Sequence, residues 1–287
     1  MTASIRCDRA AAHRCAVCGT TGRYRDLLEG MLRRCAVCSF TWTIAELAAP
    51  EVLYEGGYFE GEGYADYYQP RARRYESARR LRWLLADAPV RTLLEAGAAA
   101  GFFVETARTA GIEAEGVEVS PTSAGYAIDL LGVPVRQGRF ESATFDEPYD
   151  AVCAFHVLEH VEDPGAFLRA AFAATKPGGR LALEVPNIAA AAFRRLGAAW
   201  PHIQPDYHRW HFSPATLSRV VTAHGFGIDR LDTVFSRFYW RPLARLRHAR
   251  ELLVADWLAT RSPSISHPDQ GDVIRLIASR PPVGGRR

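Results

Sequence analysis

The chain has 287 residues, of which 48% are hydrophobic and 23% are charged, and its formal net charge is +3. These proportions are ordinary for a folded protein and argue against disordered and fibrous classes, while so small a charge does not predict nucleic-acid binding. No apolar run approaches the roughly 18 residues that a membrane span needs, and the charged N-terminus argues against a signal peptide. We therefore expect a cytoplasmic protein whose cysteines are reduced or bound to metal.

Four of the six cysteines form two C-x2-C pairs near the start of the chain. The residues are Cys15, Cys18, Cys35 and Cys38, and residues 19–34 separate the pairs. Each pair can present two sulfurs to one tetrahedral ion, so the spacing predicts a structural Zn²⁺ site with no open position. Residues 24–28 and 31–34 could form a hairpin that joins the pairs, and we assign residues 1–50 to a zinc-ribbon module. Redox dithiols and chance are the alternative explanations of the spacing.

Residues 51–89 join this module to the rest of the chain. Their first part is rich in glycine and tyrosine, which predicts either a loop packed on the next domain or a lid over a ligand. From about residue 70 to residue 87 the apolar spacing predicts a helix, which Pro89 ends. We therefore expect an aromatic lid followed by a linking helix.

From residue 90 onward, short apolar strands alternate with helical segments. The first five strands are predicted at 91–95, 114–119, 133–136, 150–155 and 180–185. Three of the helices between them are predicted at 102–110, 121–131 and 164–175. This alternation predicts right-handed βαβ units, and therefore an α/β fold with a parallel sheet covered on both faces.

The remaining elements complete the same domain, which we assign to residues 90–287. Helices are predicted at 189–196 and 214–224, and strands at 227–234 and 272–279. Residues from about 235 to 270 are expected to form a helical insertion within it.

The ends of the first two strands carry a pattern typical of nucleoside binding. The first strand runs into Glu95-Ala96-Gly97-Ala98-Ala99-Ala100-Gly101, whose glycines allow a tight turn and a close approach to a ligand. The second strand ends near Glu118, about twenty residues further on, which could accept hydrogen bonds from both hydroxyls of a ribose. A dinucleotide site would favour G-x-G-x-x-G, and no G-K-[ST] follows as in a P-loop.

These segments resemble the motifs of class I S-adenosylmethionine-dependent methyltransferases. The resemblance extends to Phe155-His156-Val157-Leu158-Glu159-His160-Val161, Lys176-Pro177-Gly178-Gly179 and Pro186-Asn187. The cysteine pairs, Gly57-Tyr58-Phe59 and the segment from His208 to Pro214 are similar to a subgroup with N-terminal zinc ribbons. That subgroup is frequent among bacterial sugar and secondary-metabolite methyltransferases.

The resemblance implies a Rossmann-like methyltransferase sheet and a set of cofactor-binding residues. That set is Glu95, Gly97, Ala98, Gly101, Glu118, Val119, Phe140, Phe155 and His156. On the acceptor side, His208 matches a histidine that related sugar C-methyltransferases use as a base or substrate contact, and His160 is the second candidate. Histidine suits a base because its ordinary pKa lies near neutral pH, although a structural loop histidine is the alternative.

The first hypothesis is therefore an S-adenosylmethionine-dependent methyltransferase of natural-product biosynthesis. Its acceptor would be a small molecule, such as a nucleotide-linked sugar or a natural-product intermediate. The protein must align the reactants, exclude water and remove a proton from the acceptor. The alternatives are an RNA or protein methyltransferase and a non-catalytic cofactor-binding scaffold. An RNA enzyme would show a contiguous basic face, whereas basic and acidic residues are mixed here. We expect no membrane partner, and the methylated atom and the oligomeric state stay open.

Overall fold

The computed structural model describes residues 14–54, 69–235 and 271–282. The predicted lid falls almost entirely on residues 55–68, and the predicted helical insertion on residues 236–270, so both lie outside the described residues. The described residues form two sheets, one of four strands and one of seven. None of their helices combines the length and apolar character needed to cross a membrane.

The smaller sheet contains the cysteine-bearing segment. Strands β1 (Tyr24–Leu27) and β2 (Leu32–Cys35) form the predicted hairpin, which is confirmed by their antiparallel register. Strand β3 (Thr41–Thr43) pairs with β2, and β9 (Trp210–His211) pairs with β3. The last pairing joins the N-terminal segment to a loop far along the chain, a contact that the cysteine spacing could not indicate.

The larger sheet contains five adjacent parallel strands. These are β4 (Thr92–Ala96), β5 (Glu113–Glu118), β6 (Val135–Gln137), β7 (Tyr149–Phe155) and β8 (Thr175–Pro186). Two further strands, β10 (Gly227–Val234) and β11 (Val273–Ser279), extend it, and β11 runs antiparallel to both β8 and β10. The strand order is β10-β11-β8-β7-β4-β5-β6, which confirms the predicted Rossmann-like sheet.

Seven α-helices accompany these strands in the described residues, and proline sets where five of them begin. Those five are α1 (Pro50–Leu53), α2 (Pro70–Leu85), α4 (Pro121–Gly125), α5 (Pro164–Ala174) and α7 (Pro214–Ala223). Proline fits the first turn because its fixed φ is helical and its missing N–H would have no partner there. The others are α3 (Phe102–Thr109) and α6 (Ala191–Leu196). The predicted helix at 121–131 is not uniform, since α4 continues as a π-helical turn over Tyr126–Leu130.

Apolar layers cover both faces of the larger sheet. Because successive strand residues face opposite sides, Leu93 and Cys153 join one layer, while Leu94 and Val152 join the other. The second layer also contains Phe40 of the N-terminal segment, which is fully buried. The four-stranded sheet therefore packs into the core of the main domain.

Candidate functional site

The loop between β4 and α3 depends on its two glycines. Gly97 and Gly101 have φ values of 70° and 80°, a region that favours glycine. A Cβ at Gly97 would lie 2.4 Å from Cγ2 of Val157, and one at Gly101 would lie 2.7 Å from Cβ of Ala127. The loop is therefore a tight turn packed directly against the segment that follows β7.

Glu118, at the end of β5, holds the same loop in place. Its Oε2 accepts a hydrogen bond from the amide of Ala99, and its Oε1 accepts one from the amide of Ser120, each at 2.7 Å. Val119, between Glu118 and Ser120 in the sequence, is half-buried, and Ala98 packs closely against β5 at Gly116. Burial raises the pKa of Glu118, although the amide donors oppose that shift. Each carboxylate oxygen has a second lone pair, so Glu118 can also accept from ligand hydroxyls.

Glu95 is the second buried carboxyl group at these strand ends. It is 4% exposed, and its Oε2 has no hydrogen-bond partner among residues 14–54, 69–235 and 271–282. Burial raises its pKa well above the usual range; the charge of Arg80 opposes this shift and that of Glu118 adds to it. A buried oxygen without a partner is costly, and an ammonium group bound at the glycine loop would supply one. The residues at this edge therefore fit S-adenosylmethionine.

The two implied aromatic residues lie differently from the loop residues. Phe140 packs 5.0 Å from the ring of Phe167, and both belong to the apolar core. Phe155 ends β7, with its ring 4.8 Å from that of Phe103. Phe155 thus lies at the same edge of the sheet as Glu95, Gly97 and Glu118, and the side chains of both Phe155 and Phe140 are buried in apolar layers.

His156 lies in a buried network of charges just after β7. Its Nδ1 is 3.1 Å from Oε1 of Glu159, and its Nε2 is 3.2 Å from Oε1 of Glu184. Burial opposes protonation, but these two carboxylates raise the pKa of His156 to about 9. Glu184 also pairs with Arg275 at 2.6 Å and with Arg80. The sequence analysis missed this network, although a glutamate in the apolar strand β8 and an arginine in the apolar strand β11 signal buried partners.

His160 and His208 meet beyond the end of β7. Their rings are 4.6 Å apart between centroids and nearly perpendicular. Nδ1 of His160 is 3.2 Å from the carbonyl oxygen of Tyr207, and Nδ1 of His208 is 3.0 Å from that of His202. A carbonyl oxygen only accepts, so each Nδ1 carries the proton and each Nε2 keeps its lone pair. Burial lowers the pKa of both histidines and favours the neutral rings.

The loop that carries His208 rests on the small sheet. The hydroxyl of Thr43 donates to the carbonyl oxygen of His208 at 2.5 Å, and the amide of Thr43 donates to that of Arg209 at 3.0 Å. Nε2 of His211 lies 3.0 Å from the same hydroxyl oxygen, whose proton is already donated to the carbonyl of His208. His211 therefore donates to Thr43, and one threonine fixes the backbone on both sides of Arg209.

Two clusters of metal-binding side chains occur in the described ranges. The four cysteine sulfurs lie within 4.8 Å of one another, with 3.4 Å between Cys15 and Cys38 and 3.6 Å between Cys18 and Cys35. A Zn–S distance of about 2.3 Å implies tetrahedral S···S separations of about 3.8 Å, so the four thiols fit one Zn²⁺. The second cluster is Glu159, His160 and His208, whose donor atoms also lie within 4.8 Å of one another.

Known proteins are similar to this chain in sequence and in fold. A ubiquinone biosynthesis O-methyltransferase of Azorhizobium caulinodans is 32% identical over 151 residues, which cover 48% of this chain and 60% of that protein. The match therefore spans only about three fifths of that relative. A structure from Thermotoga maritima, described as an S-adenosylmethionine-dependent methyltransferase and possible histamine N-methyltransferase, has a TM-score of 0.54 at 20% identity and covers 77% of this chain and 97% of that one.

A second solved structure shares the fold. Phosphoethanolamine N-methyltransferase 2 of Haemonchus contortus, in complex with S-adenosyl-L-methionine, has a TM-score of 0.54 at 16% identity and covers 78% of this chain and 59% of that one. At such identities these structures show the fold alone. A family model described as a methyltransferase domain, however, matches residues 68–231, more than half of the chain. The protein therefore belongs to the methyltransferase domain family.

Proposed function

We propose that the protein is an S-adenosylmethionine-dependent methyltransferase whose acceptor is a small molecule, such as a nucleotide-linked sugar or a natural-product intermediate. The observation that carries this proposal is that the segment after β7 packs on the glycine loop and also carries His160. Val157, which packs on Gly97 of the glycine loop, lies three residues before His160, which meets His208. Cofactor loop and histidine pair therefore share one edge of the sheet, where ligands bind in open α/β folds.

The cofactor half would bind through groups that are already positioned. S-adenosylmethionine, when bound, supplies a methyl group activated as a sulfonium. Glu118 would accept hydrogen bonds from the ribose hydroxyls, and Glu95 would pair with the ammonium group. The backbone between Gly97 and Gly101 approaches the ligand closely because no Cβ stands at either glycine.

The acceptor half would hold and deprotonate the nucleophile. The proposed base is Nε2 of His208, which carries a lone pair and belongs to a side chain only 5% exposed. With a hydroxyl acceptor, the proton passes to this nitrogen as the acceptor oxygen forms its bond to the methyl carbon, and the C–S electron pair stays on sulfur. His160 holds a second neutral ring beside it. Such a buried pair excludes water and keeps the base unprotonated until the acceptor binds.

The proposal includes a structural Zn²⁺ ion at Cys15, Cys18, Cys35 and Cys38. Four thiolates complete the coordination of the ion, so its role is to fold the small sheet. That sheet supports the His208 loop through Thr43 and through the pairing of β3 with β9. Zinc would thus act on the acceptor half without touching a ligand.

Binding and turnover test the proposal separately. Calorimetry with S-adenosylhomocysteine should show micromolar-range binding. Incubation with S-adenosylmethionine and a panel of nucleotide-linked sugars and phenolic or polyketide hydroxyl compounds should release S-adenosylhomocysteine with at least one acceptor. Tighter binding of NAD than of S-adenosylhomocysteine, or turnover only with RNA or protein, would contradict it.

A further inference from the structure

Glu159 is a buried acid at the centre of the histidine cluster. Its side chain is 1% exposed, and Oε2 has no hydrogen-bond partner in the part of the chain that the structure describes. Oε1 accepts a hydrogen bond from Nδ1 of His156 at 3.1 Å and lies 4.0 Å from Nε2 of His160. A carboxylate oxygen in such a place costs free energy unless a cation or a donor approaches it.

His160 and His208 place further hydrogen-bond acceptors close to the Glu159 carboxylate. Because both Nδ1 atoms are bonded to backbone carbonyls, both Nε2 atoms are acceptors. One nitrogen of each ring lies within 4.8 Å of the other and of a Glu159 carboxylate oxygen. Lone pairs gathered this closely repel one another unless a proton or a cation lies between them. A single positive ion among them removes this repulsion.

We propose that Glu159, His160 and His208 bind one divalent transition-metal ion, at a site separate from the four cysteines. Two imidazoles and a carboxylate suit Zn²⁺, Co²⁺ or Mn²⁺ better than Mg²⁺ or Ca²⁺, which prefer oxygen. The surrounding contacts have the form found around metal-binding side chains. Each Nδ1–H of His160 and His208 donates to a backbone carbonyl, and Nδ1 of His156 donates to Oε1 of Glu159. Three protein ligands also leave positions open for a further ligand.

The inference rests on the proposed function and specifies how its acceptor is activated. An acceptor hydroxyl bound at an open position would have a lowered pKa, so its proton would be released to bulk solvent as the acceptor binds, before the oxygen takes the methyl group. The C–S electron pair would again stay on sulfur. His208 would then hold the ion instead of accepting the proton, so the bound metal takes the place of the general-base step.

Metal counting on the intact protein tests the site. Protein whose cysteines hold one Zn²⁺ would be dialysed against Co²⁺, and both metals would be measured by elemental analysis. We expect one equivalent of Co²⁺ per chain, with d–d absorption but no thiolate charge-transfer band. Paramagnetic broadening of imidazole NMR signals in the wild-type protein would show histidine ligation without any substitution. A wild-type protein that binds no Co²⁺ would overturn the proposal.

Matched substitutions identify the ligands. Glu159→Gln keeps the volume and an acceptor for His156 but removes the charge, and His160→Gln and His208→Gln remove one nitrogen each. Each should lose the Co²⁺ equivalent while circular dichroism and S-adenosylhomocysteine binding stay unchanged. The control is His224→Gln, since His224 also bonds a carbonyl through Nδ1, at 2.7 Å from Val220, but lies at the end of α7. Undiminished Co²⁺ binding by the three variants would refute the assignment.

Activity separates this inference from the function on which it rests. Methyl transfer that stops when Co²⁺ or Zn²⁺ is removed from the second site, and returns when it is restored, is the expected result. Full turnover without the second ion would overturn its role and leave the methyltransferase intact. A second ion bound by a protein that methylates no acceptor would refute the proposed function and leave the site standing.

Discussion

The cofactor half and the acceptor half of the proposed site differ in how far apart in sequence their residues lie. The cofactor half comes from β4, the glycine loop and the end of β5, and its contacts are hydrogen bonds from backbone amides to Glu118. The acceptor half combines the segment after β7, the loop before β9 and Thr43 of the N-terminal sheet. A ligand common to a whole family can be bound by a local motif, whereas an acceptor that varies is bound where distant segments meet.

Burial acts on both halves in the same physical way. It raises the pKa of Glu95 and Glu118 and lowers that of His160 and His208, because it disfavours the charged form of each. Charge is retained where opposite groups touch, as in the contact of His156 with Glu184.

The largest expected effect breaks the acceptor half alone. His208→Asn should lower kcat by about 10²–10⁴-fold, the range for loss of a general base. Cofactor affinity should hardly change, because His208 belongs to the acceptor side. Steady-state kinetics with calorimetry measures both, and His224→Asn serves as the matched histidine control. Near-wild-type turnover, or a loss of cofactor affinity only, would reduce His208 to a structural loop residue and turn attention to His160.

Removal of zinc tests whether the N-terminal sheet serves the acceptor half. Elemental analysis should find one tightly held Zn²⁺ at the cysteines, and Cys15→Ser should unfold β1, β2 and β3. Turnover should then fall by about 10²-fold, because the His208 loop loses its support and small misplacements of this kind are costly. S-adenosylhomocysteine binding should persist. Cysteines that form disulfides in metal-free protein, or equal losses of binding and turnover, would contradict this prediction.

The sequence predicted the fold and the position of the glycine loop well because both depend on local patterns. The strand predicted at 227–234 is confirmed to the residue, and the glycine loop from Gly97 to Gly101 follows β4 as expected. Each such element reflects hydrophobic spacing or glycines within a few residues. Whether the predicted residues bind ligand stays a prediction.

Other features could not be read from one sequence because they depend on contacts between distant segments. The pairing of Trp42 with Trp210 needs two residues in β register, so neither segment alone signals it. The network of Glu184, Arg80 and Arg275 likewise joins β8, α2 and β11. Glu159, which the sequence analysis did not place at the site, becomes part of a cluster only because His208, 49 residues further along the chain, folds back onto Glu159 and His160.

A smaller effect should appear when the cofactor half is weakened. Glu118→Ala should weaken S-adenosylmethionine binding by roughly 1–3 kcal/mol, because a buried hydrogen-bond acceptor is lost. At saturating cofactor, kcat should stay close to the wild-type value. The control is Glu113→Ala at the other end of β5, where the carboxylate is exposed and pairs with Arg91. An unchanged dissociation constant for Glu118→Ala would remove this residue from the cofactor site.

The smallest expected effect concerns Thr43, which links the N-terminal sheet to the His208 loop. Thr43→Val keeps the shape of the side chain but leaves the carbonyl of His208 and Nε2 of His211 without their hydroxyl partner. The free energy of unfolding should fall by about 1–3 kcal/mol, the usual cost of a buried polar group that loses its partner. As a positioning residue, Thr43 should also affect kcat by a few-fold while KM and cofactor affinity hold, and Thr43→Ser should restore both properties. Chemical denaturation and steady-state kinetics on the three proteins measure this. A loss of stability with unchanged kcat would mean that the small sheet stabilises the fold without orienting His208.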